Sequence, residues 1–346
     1  MSPGLTGRLL LICAALVCAP AQGATEEEIA TLAKQAASGR DIDREELEKL
    51  ANGGEALAAQ YLGILHLRGR GVRQSDELAL KWFLVGAKLG RADSAHNAGV
   101  IYQVAPSSLR DPVAARRWYR TAVERGYPRA QANLGEMLLR GEGGDSDPAE
   151  ARALIERAAE QKDPRGIYLL GMLHLEGLAG MEKNAALALP LLRRAAEQNE
   201  RDAQYRLALE YGRGGRIEKS NEEAMAWLRK AAALRHPDAE FLLGIAYSRG
   251  LYGLTRDDVE AVKWLRRSAR QNHAEAMYAL GAAYAEGRGV NRDSSEALGW
   301  MLEASRKGHP EATRFVERVK ANRKRMEEQA PPAEPAGSRV PEDVAK

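Results

Sequence analysis

Histidine is the residue type here with the clearest capacity for metal chemistry, and three of the six lie at equivalent positions. His236, His273 and His309 each precede a short motif, Pro-Asp-Ala, Ala-Glu-Ala or Pro-Glu-Ala. His66 and His174 occupy equivalent positions of a sequence repeat described below, but three repeats separate them. If each repeat adds one helix spacing of about 8–10 Å, the two histidines lie roughly 25–30 Å apart. A zinc ligand lies only about 2 Å from its ion. We therefore predict histidines that recur with a structural corner, and neither a metal nor a cofactor.

Glycine-rich turns and paired acids are the other candidates for chemistry. Gly287-Arg288-Gly289-Val290 is typical of several turns, but a dinucleotide-binding fingerprint needs a preceding strand, and helical patterns flank these turns on both sides. Asp257-Asp258 lies where a helix begins, and acids there favour the helix dipole. No acid is paired with an apolar pocket that would raise its pKa for catalysis. The sequence thus predicts structural turns, no catalytic residues and a protein that is not an enzyme.

Charge gives no sign of a nucleic-acid partner. The 51 basic and 48 acidic side chains are interspersed and leave a net charge of +3. The cluster Arg323-Lys324-Arg325 is short and is followed by Glu327-Glu328, which favours a solvated helix end. A nucleic-acid-binding domain is expected to carry a basic stripe.

The first residues have the pattern of a secretory signal peptide. Arg8 precedes about eleven apolar residues, whereas a membrane-spanning helix needs about 20. Ala19-Pro20-Ala21 fits a cleavage site, so residues 1–21 are predicted to be removed, leaving no transmembrane segment and a periplasmic protein; an uncleaved anchor is the alternative. Cys13 and Cys18, the two cysteines of the chain, lie in this leader, and neither follows a small residue as a lipid-attachment cysteine would. The mature chain is predicted to have no disulfide.

A repeat of 36 to 37 residues organises the rest of the chain. One column contains tryptophan or leucine: Trp82, Trp118, Leu154, Leu191, Trp227, Trp264 and Trp300. A second column has the same steps: Gly63, Gly99, Gly135, Gly171, Ala208, Gly244 and Gly281. Around each glycine the apolar residues follow a helical spacing, as in Ala276, Leu280 and Tyr284. Glycine within a helix costs about 1 kcal/mol relative to alanine, so its recurrence predicts close packing by a neighbouring helix.

These motifs resemble the Sel1-like repeat family, a relative of the tetratricopeptide repeats. The shared pattern is Ala-x-x-x-Leu-Gly-x-x-Tyr, then Gly-x-Gly-Val, then Ala-x-x-Trp, and it recurs over residues 55–309. The resemblance implies an all-α, right-handed superhelical solenoid of about seven helix pairs. The second repeat departs from the pattern, since Val104-Ala105-Pro106-Ser107-Ser108 replaces its glycine turn and predicts a corner of different shape.

Both ends of the array are predicted to be capped. Residues 25–54 are interpreted as a helical cap with short helices over 26–37 and 43–51. Residues 310–329 are interpreted as a charged capping helix, because a terminal repeat requires a polar outer face. The Pro-rich residues 330–346 are predicted to form a disordered tail.

Two columns near the glycine are candidates for partner binding. Three residues before it are Gln60, His96, Ala132, Tyr168, Tyr205, Phe241 and Tyr278. Six residues before it are Leu57, Asp93, Arg129, Arg165, Asp202, Asp238 and Glu275. In tetratricopeptide repeats the first of these positions faces the concave groove, and aromatic and arginine residues dominate protein-binding hot spots. The predicted site is Arg129, Arg165, Tyr168, Tyr205, Phe241 and Tyr278. Alternatively, the aromatic rings only pack between adjacent first helices.

The resemblance also implies a class of function. In size, leader and repeat number, the chain resembles exported Sel1-like proteins that neutralise phospholipase effectors of type VI secretion, which implies a protein partner that the solenoid occludes. Other Sel1-like proteins act as envelope scaffolds or regulators in exopolysaccharide export and sensor-kinase signalling. Cysteine-rich relatives suggest a β-lactamase, but a mature chain without cysteine departs from that subgroup.

Overall fold

A computed structural model of the chain describes residues 24–105 and 108–329. The predicted leader, residues 1–21, and the predicted tail, residues 330–346, lie outside the described residues. The part that is described forms α-helices and contains no β-strand. In chain order the helices are α1 (Glu26–Ala36), α2 (Asp41–Asn52), α3 (Ala56–Arg68), α4 (Asp76–Lys88), α5 (Ala92–Val104), α6 (Pro112–Glu124), α7 (Pro128–Arg140), α8 (Pro148–Glu160), α9 (Pro164–Glu176), α10 (Ala185–Glu197), α11 (Arg201–Arg213), α12 (Asn221–Ala233), α13 (Pro237–Arg249), α14 (Asp258–Ala269), α15 (Ala274–Glu286), α16 (Ser294–Arg306) and α17 (Pro310–Gln329).

The helices from α3 to α16 form seven consecutive pairs. In each pair the first and second helices pack against each other, as α3 does with α4 and α15 with α16. The predicted all-α solenoid of seven helix pairs is confirmed. The chain divides into two compact units, one ending at Gln161 and the other beginning at Lys162. The first unit contains α1 to α8, and the second contains α9 to α17.

Local capping explains where the paired helices begin and end. Each second helix follows a side chain that accepts a hydrogen bond from a backbone N–H of the first turn: Ser75, Asp111, Asp147, Asn184, Ser220, Asp257 and Asp293. Five first helices end at a glycine in the left-handed conformation: Gly69, Gly141, Gly177, Gly250 and Gly287. Helix α5 instead ends at Ala105 in an extended conformation, and residues 106 and 107 of the predicted corner lie outside the described residues.

A neighbouring helix packs closely against the glycine column, as the sequence predicts. A Cβ atom on Gly63 would lie 2.5 Å from the ring of Phe83, and one on Gly135 would lie 2.7 Å from Ile155. In both cases the close neighbour belongs to the second helix of the same repeat. At these two positions glycine therefore allows the two helices of a pair to approach more closely than a larger residue would permit.

A second glycine in the turn is needed where consecutive repeats meet. Gly289 has a φ of 69°, and a Cβ there would lie 2.0 Å from the carbonyl oxygen of Asp258, at the start of the preceding second helix. Gly143 meets the carbonyl oxygen of Pro112 in the same way, at 2.2 Å. These contacts are with protein backbone, and they account for the Gly-x-Gly turn as a packing feature.

Candidate functional site

The aromatic residues of the predicted site occupy the first helices of four repeats in the second unit. Tyr168, Tyr205, Phe241 and Tyr278 lie in α9, α11, α13 and α15, and each is half-buried. Arg165 lies over the ring of Tyr168, with its guanidinium carbon 5.2 Å from the ring centroid. The structure thus places five of the six predicted residues on the first helices of one unit.

Arg129 lies in the other unit. It is a half-buried residue in the first turn of α7. That unit repeats the aromatic arrangement with the residue types exchanged, because His96 of α5 occupies the aromatic column and Tyr127 the corner before α7. Their ring centroids lie 5.1 Å apart.

Three of the aromatic rings contact the recurring histidines. Tyr205 packs on His236 with ring centroids 4.6 Å apart, Phe241 on His273 at 4.8 Å and Tyr278 on His309 at 4.3 Å. Each histidine directly precedes the first helix of the next repeat, or α17 in the case of His309. The aromatic column and the histidine corner therefore form one inter-repeat contact that occurs three times in succession.

The imidazoles also cap the helices that they precede. Nδ1 of His236, His273 and His309 accepts a hydrogen bond from the backbone N–H three residues further on, at 3.4, 3.1 and 3.3 Å. Because Nδ1 accepts, this geometry assigns the ring proton of the neutral tautomer to Nε2. A structural corner thus explains these histidines, and groups of three or more metal-ligating side chains do not occur in residues 24–105 and 108–329.

Two of these imidazoles face, through Nε2, an acidic residue near the start of the repeat that the histidine ends. Asp202 Oδ1 lies 3.3 Å from Nε2 of His236, and Asp238 Oδ1 lies 3.1 Å from Nε2 of His273. Arg165 contacts Asp202 and lies 3.5 Å from Glu200 Oε1. Two of the acids in the column six residues before the glycine are therefore joined to the corner of the next repeat.

These contacts shift the acidity of both carboxyl groups. Burial opposes the charged form of Asp202, but the hydrogen bond from His236 and the positive charge of Arg165 outweigh it and hold the pKa of Asp202 well below its usual range. The hydrogen bond from His273 lowers the pKa of Asp238. Burial raises the pKa of Tyr205, and the negative charge of Asp238 adds to that effect. All three groups titrate outside the neutral range.

A cavity opens between the first helices of the last two repeats. It has a volume of about 320 Å³ and is lined by Phe241 and Tyr278 together with Ile245, Ala282 and other residues of α13, α14 and α15. Tyr278 also lines a second cavity of about 680 Å³, whose other lining residues belong to α16 and α17. The rings of Phe241 and Tyr278 therefore pack against the histidines of the repeat corners and also line a surface cavity. Whether that surface binds a partner stays a prediction.

Sequence reasoning missed part of this surface. Ile245 and Arg249 follow Phe241 at steps of four residues on α13, and both line the first cavity. That spacing places the three side chains on one face of a helix, which is the signal that could have identified them. Among the described helices, none combines the length and apolar character that a membrane span requires.

Sequence and structure comparisons agree on one family. The family described as Sel1 repeat matches seven segments: residues 56–90, 92–127, 128–163, 164–200, 201–236, 237–273 and 274–309. No curated protein is significantly similar in sequence to the chain.

Among solved structures, the fold is similar to a Sel1 repeat protein from Oxalobacter formigenes, with 27% identity, a TM-score of 0.54, and coverage of 85% of this chain and 86% of that one. It is also similar to the protective antigen c5321 of uropathogenic Escherichia coli, with 24% identity, a TM-score of 0.47, and coverage of 85% and 67%. A third similar structure is the immunity protein Pa5087 of Pseudomonas aeruginosa, with 19% identity, a TM-score of 0.48, and coverage of 64% and 83%. The seven matched segments show that the chain belongs to the Sel1 repeat family.

Proposed function

We propose that the protein is a periplasmic binding solenoid that holds a protein partner against the first helices of its second unit. The observation that carries this proposal is the cavity of about 320 Å³ between α13 and α15, whose wall includes Phe241 and Tyr278. Concave apolar pockets with aromatic walls are typical positions for the anchoring side chains of a partner. The stacked histidines hold both rings in place, so little side-chain freedom is lost when a partner binds.

We further propose that the partner is a toxin that acts in the periplasm, such as a phospholipase delivered by type VI secretion. The sequence resemblance to exported Sel1-like immunity proteins supports this choice. The mechanism is occlusion, in which the solenoid covers the active site of the toxin and excludes its substrate. This mechanism needs no catalytic group in the solenoid, only a large contact surface.

The test is capture of the partner from a periplasmic extract by the purified chain. The double variant Tyr205→Ala/Tyr278→Ala removes two aromatic contacts and is expected to lose roughly tenfold or more in affinity for the captured protein. Circular dichroism should show unchanged helicity. As a matched control, Leu187→Ala/Val259→Ala removes two exposed apolar side chains from second helices and should capture normally.

The identity and activity of the captured protein test the proposal that the partner is a toxin that acts in the periplasm. A captured phospholipase that stops hydrolysing phospholipid at one equivalent of the chain supports immunity by occlusion. Capture of a polysaccharide-export protein or a sensor kinase would replace immunity with the scaffold function. Undiminished capture by the folded Tyr205→Ala/Tyr278→Ala variant would contradict binding through the aromatic face.

A further inference from the structure

Tyr278 forms a ridge between two surface cavities. It lines both the first cavity, between α13 and α15, and the second cavity, against α16 and α17. The ring of Tyr278 lies almost parallel to that of His309, with an interplanar angle of 16° and a centroid distance of 4.3 Å. His309 is in turn held by the N–H of Ala312. The ridge is therefore fixed in position before any partner arrives.

Both cavities offer apolar surface to a ligand. The first is lined by Phe241, Ile245, Val262, Leu265, Ala279 and Ala282. The second is lined by Met301, Phe315 and Ala321, beside charged residues of α17. Burial of apolar surface on binding favours association because it removes that surface from water. A ligand that places one large apolar group on each side of Tyr278 would cover both surfaces.

One edge of the first cavity carries an available positive charge. Arg249 ends α13 and is exposed, and within residues 24–105 and 108–329 it makes neither an ion pair nor a side-chain hydrogen bond. Asp258 also lines the cavity, but Arg256 already binds it with a distance of 2.7 Å between Nη2 and Oδ2. Arg288, the other cation of the lining, lies 2.6 Å from Glu286 Oε2 through its Nε. Arg249 is thus the cation of this cavity that a ligand carboxylate can reach.

The opposite edge of the same cavity carries an available negative charge. Glu275 lies in the first turn of α15, and 61% of its side chain is exposed. The nearest histidine nitrogen is Nδ1 of His273, 3.4 Å away, but that atom already accepts the backbone N–H of Ala276 and has no proton to donate. Phe241 and Arg249 are eight residues apart on α13, or about 12 Å. His273 stacks on Phe241 with ring centroids 4.8 Å apart, so Glu275, beside His273, lies towards the Phe241 end of the cavity and Arg249 towards the other end.

We propose that this groove binds one segment of a protein partner with a defined chemistry. The segment places a large apolar side chain on each side of Tyr278, a carboxylate beside Arg249 and a basic side chain beside Glu275. The cavities are one helix step apart, roughly 10 Å, so about three residues of extended chain separate the two apolar side chains. This inference rests on the proposed function of protein binding and specifies what is bound.

A random peptide library displayed on phage tests the proposal with the full chain. The unaltered protein is expected to enrich peptides with two large apolar residues about three positions apart, accompanied by one acidic and one basic residue. Arg249→Glu should lose the acidic preference and bind the enriched peptides about tenfold more weakly, and Glu275→Lys should lose the basic preference. Tyr278→Ala should lose the paired apolar spacing.

Arg229→Glu is the matched control, because Arg229 is exposed on α12 and lines neither cavity. It should enrich the same peptides as the unaltered protein. Failure to enrich any peptide, enrichment of apolar peptides without charge, or equal effects of Arg229→Glu and Arg249→Glu would overturn the proposal. If Tyr205→Ala/Tyr278→Ala abolishes capture of the natural partner while Arg249→Glu and Glu275→Lys leave it unchanged, the proposed function stands and this inference fails.

Discussion

At the residue scale, the imidazole rings of His236 and His273 each make three kinds of contact at a repeat corner. His273, for example, caps α15 through Nδ1, faces Asp238 through Nε2 and stacks on Phe241. The first of these contacts satisfies a backbone group at the helix start, while the other two join one repeat to the next. A ring at this position therefore stabilises a helix and an interface together.

The depressed pKa of Asp202 predicts a pH-dependent stability. Because this pKa is lower in the folded chain than in the unfolded chain, the stabilisation is complete above the unfolded value of about 3.9. It is lost as the pH falls from there through the folded value. Asp202→Asn should lower the free energy of unfolding by about 2 kcal/mol near neutral pH, because the amide keeps an acceptor oxygen but loses the negative charge that faces Arg165 and His236.

Urea unfolding of both proteins near pH 7 and near pH 3 measures this effect. The difference between Asp202→Asn and the unaltered protein should be smaller at the acidic pH. Glu197→Gln is the control, because Glu197 is exposed at the end of α10 and makes no ion pair among the described residues. A difference for Asp202→Asn that does not change with pH would contradict the assigned electrostatic cause.

The residues of this corner were predictable from sequence, but their contact was not. Both the aromatic and the histidine columns follow from the repeat, yet Tyr205 and His236 are 31 residues apart, near opposite ends of one matched repeat. The periodicity shows which residues occupy equivalent positions. It does not give the distance in space between a residue of one column and a residue of another. The signal available in hindsight is that the separation recurs, at 32 residues for Phe241 and His273 and 31 for Tyr278 and His309.

At the element scale, two helical glycines differ in what surrounds them and give opposite predictions. A Cβ on Gly135 would lie 2.7 Å from Ile155 and 3.0 Å from the carbonyl oxygen of Ala151, whereas one on Gly299 would have no atom within 4 Å. Gly135→Ala should therefore destabilise the protein by about 1–3 kcal/mol, because α7 and α8 must move apart. Gly299→Ala should stabilise it by up to about 1 kcal/mol through helix propensity.

Denaturant unfolding of the two variants checks this pair of predictions. Both replace glycine by alanine inside a helix, so helix propensity contributes equally and the difference isolates the packing between α7 and α8. Stabilisation of the protein by Gly135→Ala would contradict the close approach of these helices.

The helices themselves were largely predictable, since their boundaries follow local chemistry. The sequence predicts short helices over 26–37 and 43–51, and the structure has them at Glu26–Ala36 and Asp41–Asn52. The second begins two residues early because its first turn already forms at Asp41, which accepts a hydrogen bond from Arg44 at 2.6 Å. Side-chain pairs of this kind extend a helix without changing its apolar pattern.

At the scale of the whole molecule, the division after Gln161 had no counterpart in the sequence. The glycine and tryptophan columns continue through this point with steps of 36 and 37 residues, so they indicate one uninterrupted array. The repeat pattern records how each helix pair is built. It does not record where the chain divides into compact units.

A helix-pair array in which each repeat contacts its neighbours has a stability that is approximately a sum of repeat terms and interface terms. Damage at one repeat should then remain local. Leu280 of α15 is fully buried in the cluster formed by α14 to α17, and Leu280→Ala should cost about 2–5 kcal/mol. Hydrogen exchange should show the largest loss of protection in α15, α16 and α17, and a smaller loss in α9 and α10.

Val259→Ala provides the comparison, because Val259 is an exposed residue of α14 and its truncation should leave the exchange pattern unchanged. An equal loss of protection from α9 to α17 in Leu280→Ala would mean that residues 162–329 unfold as one cooperative body. A graded loss would mean that the last repeats can open while α9 and α10 stay folded. Since Phe241 and Tyr278 lie in those last repeats, a graded response would make the candidate binding surface the part of its unit most sensitive to core mutations near the C-terminal end.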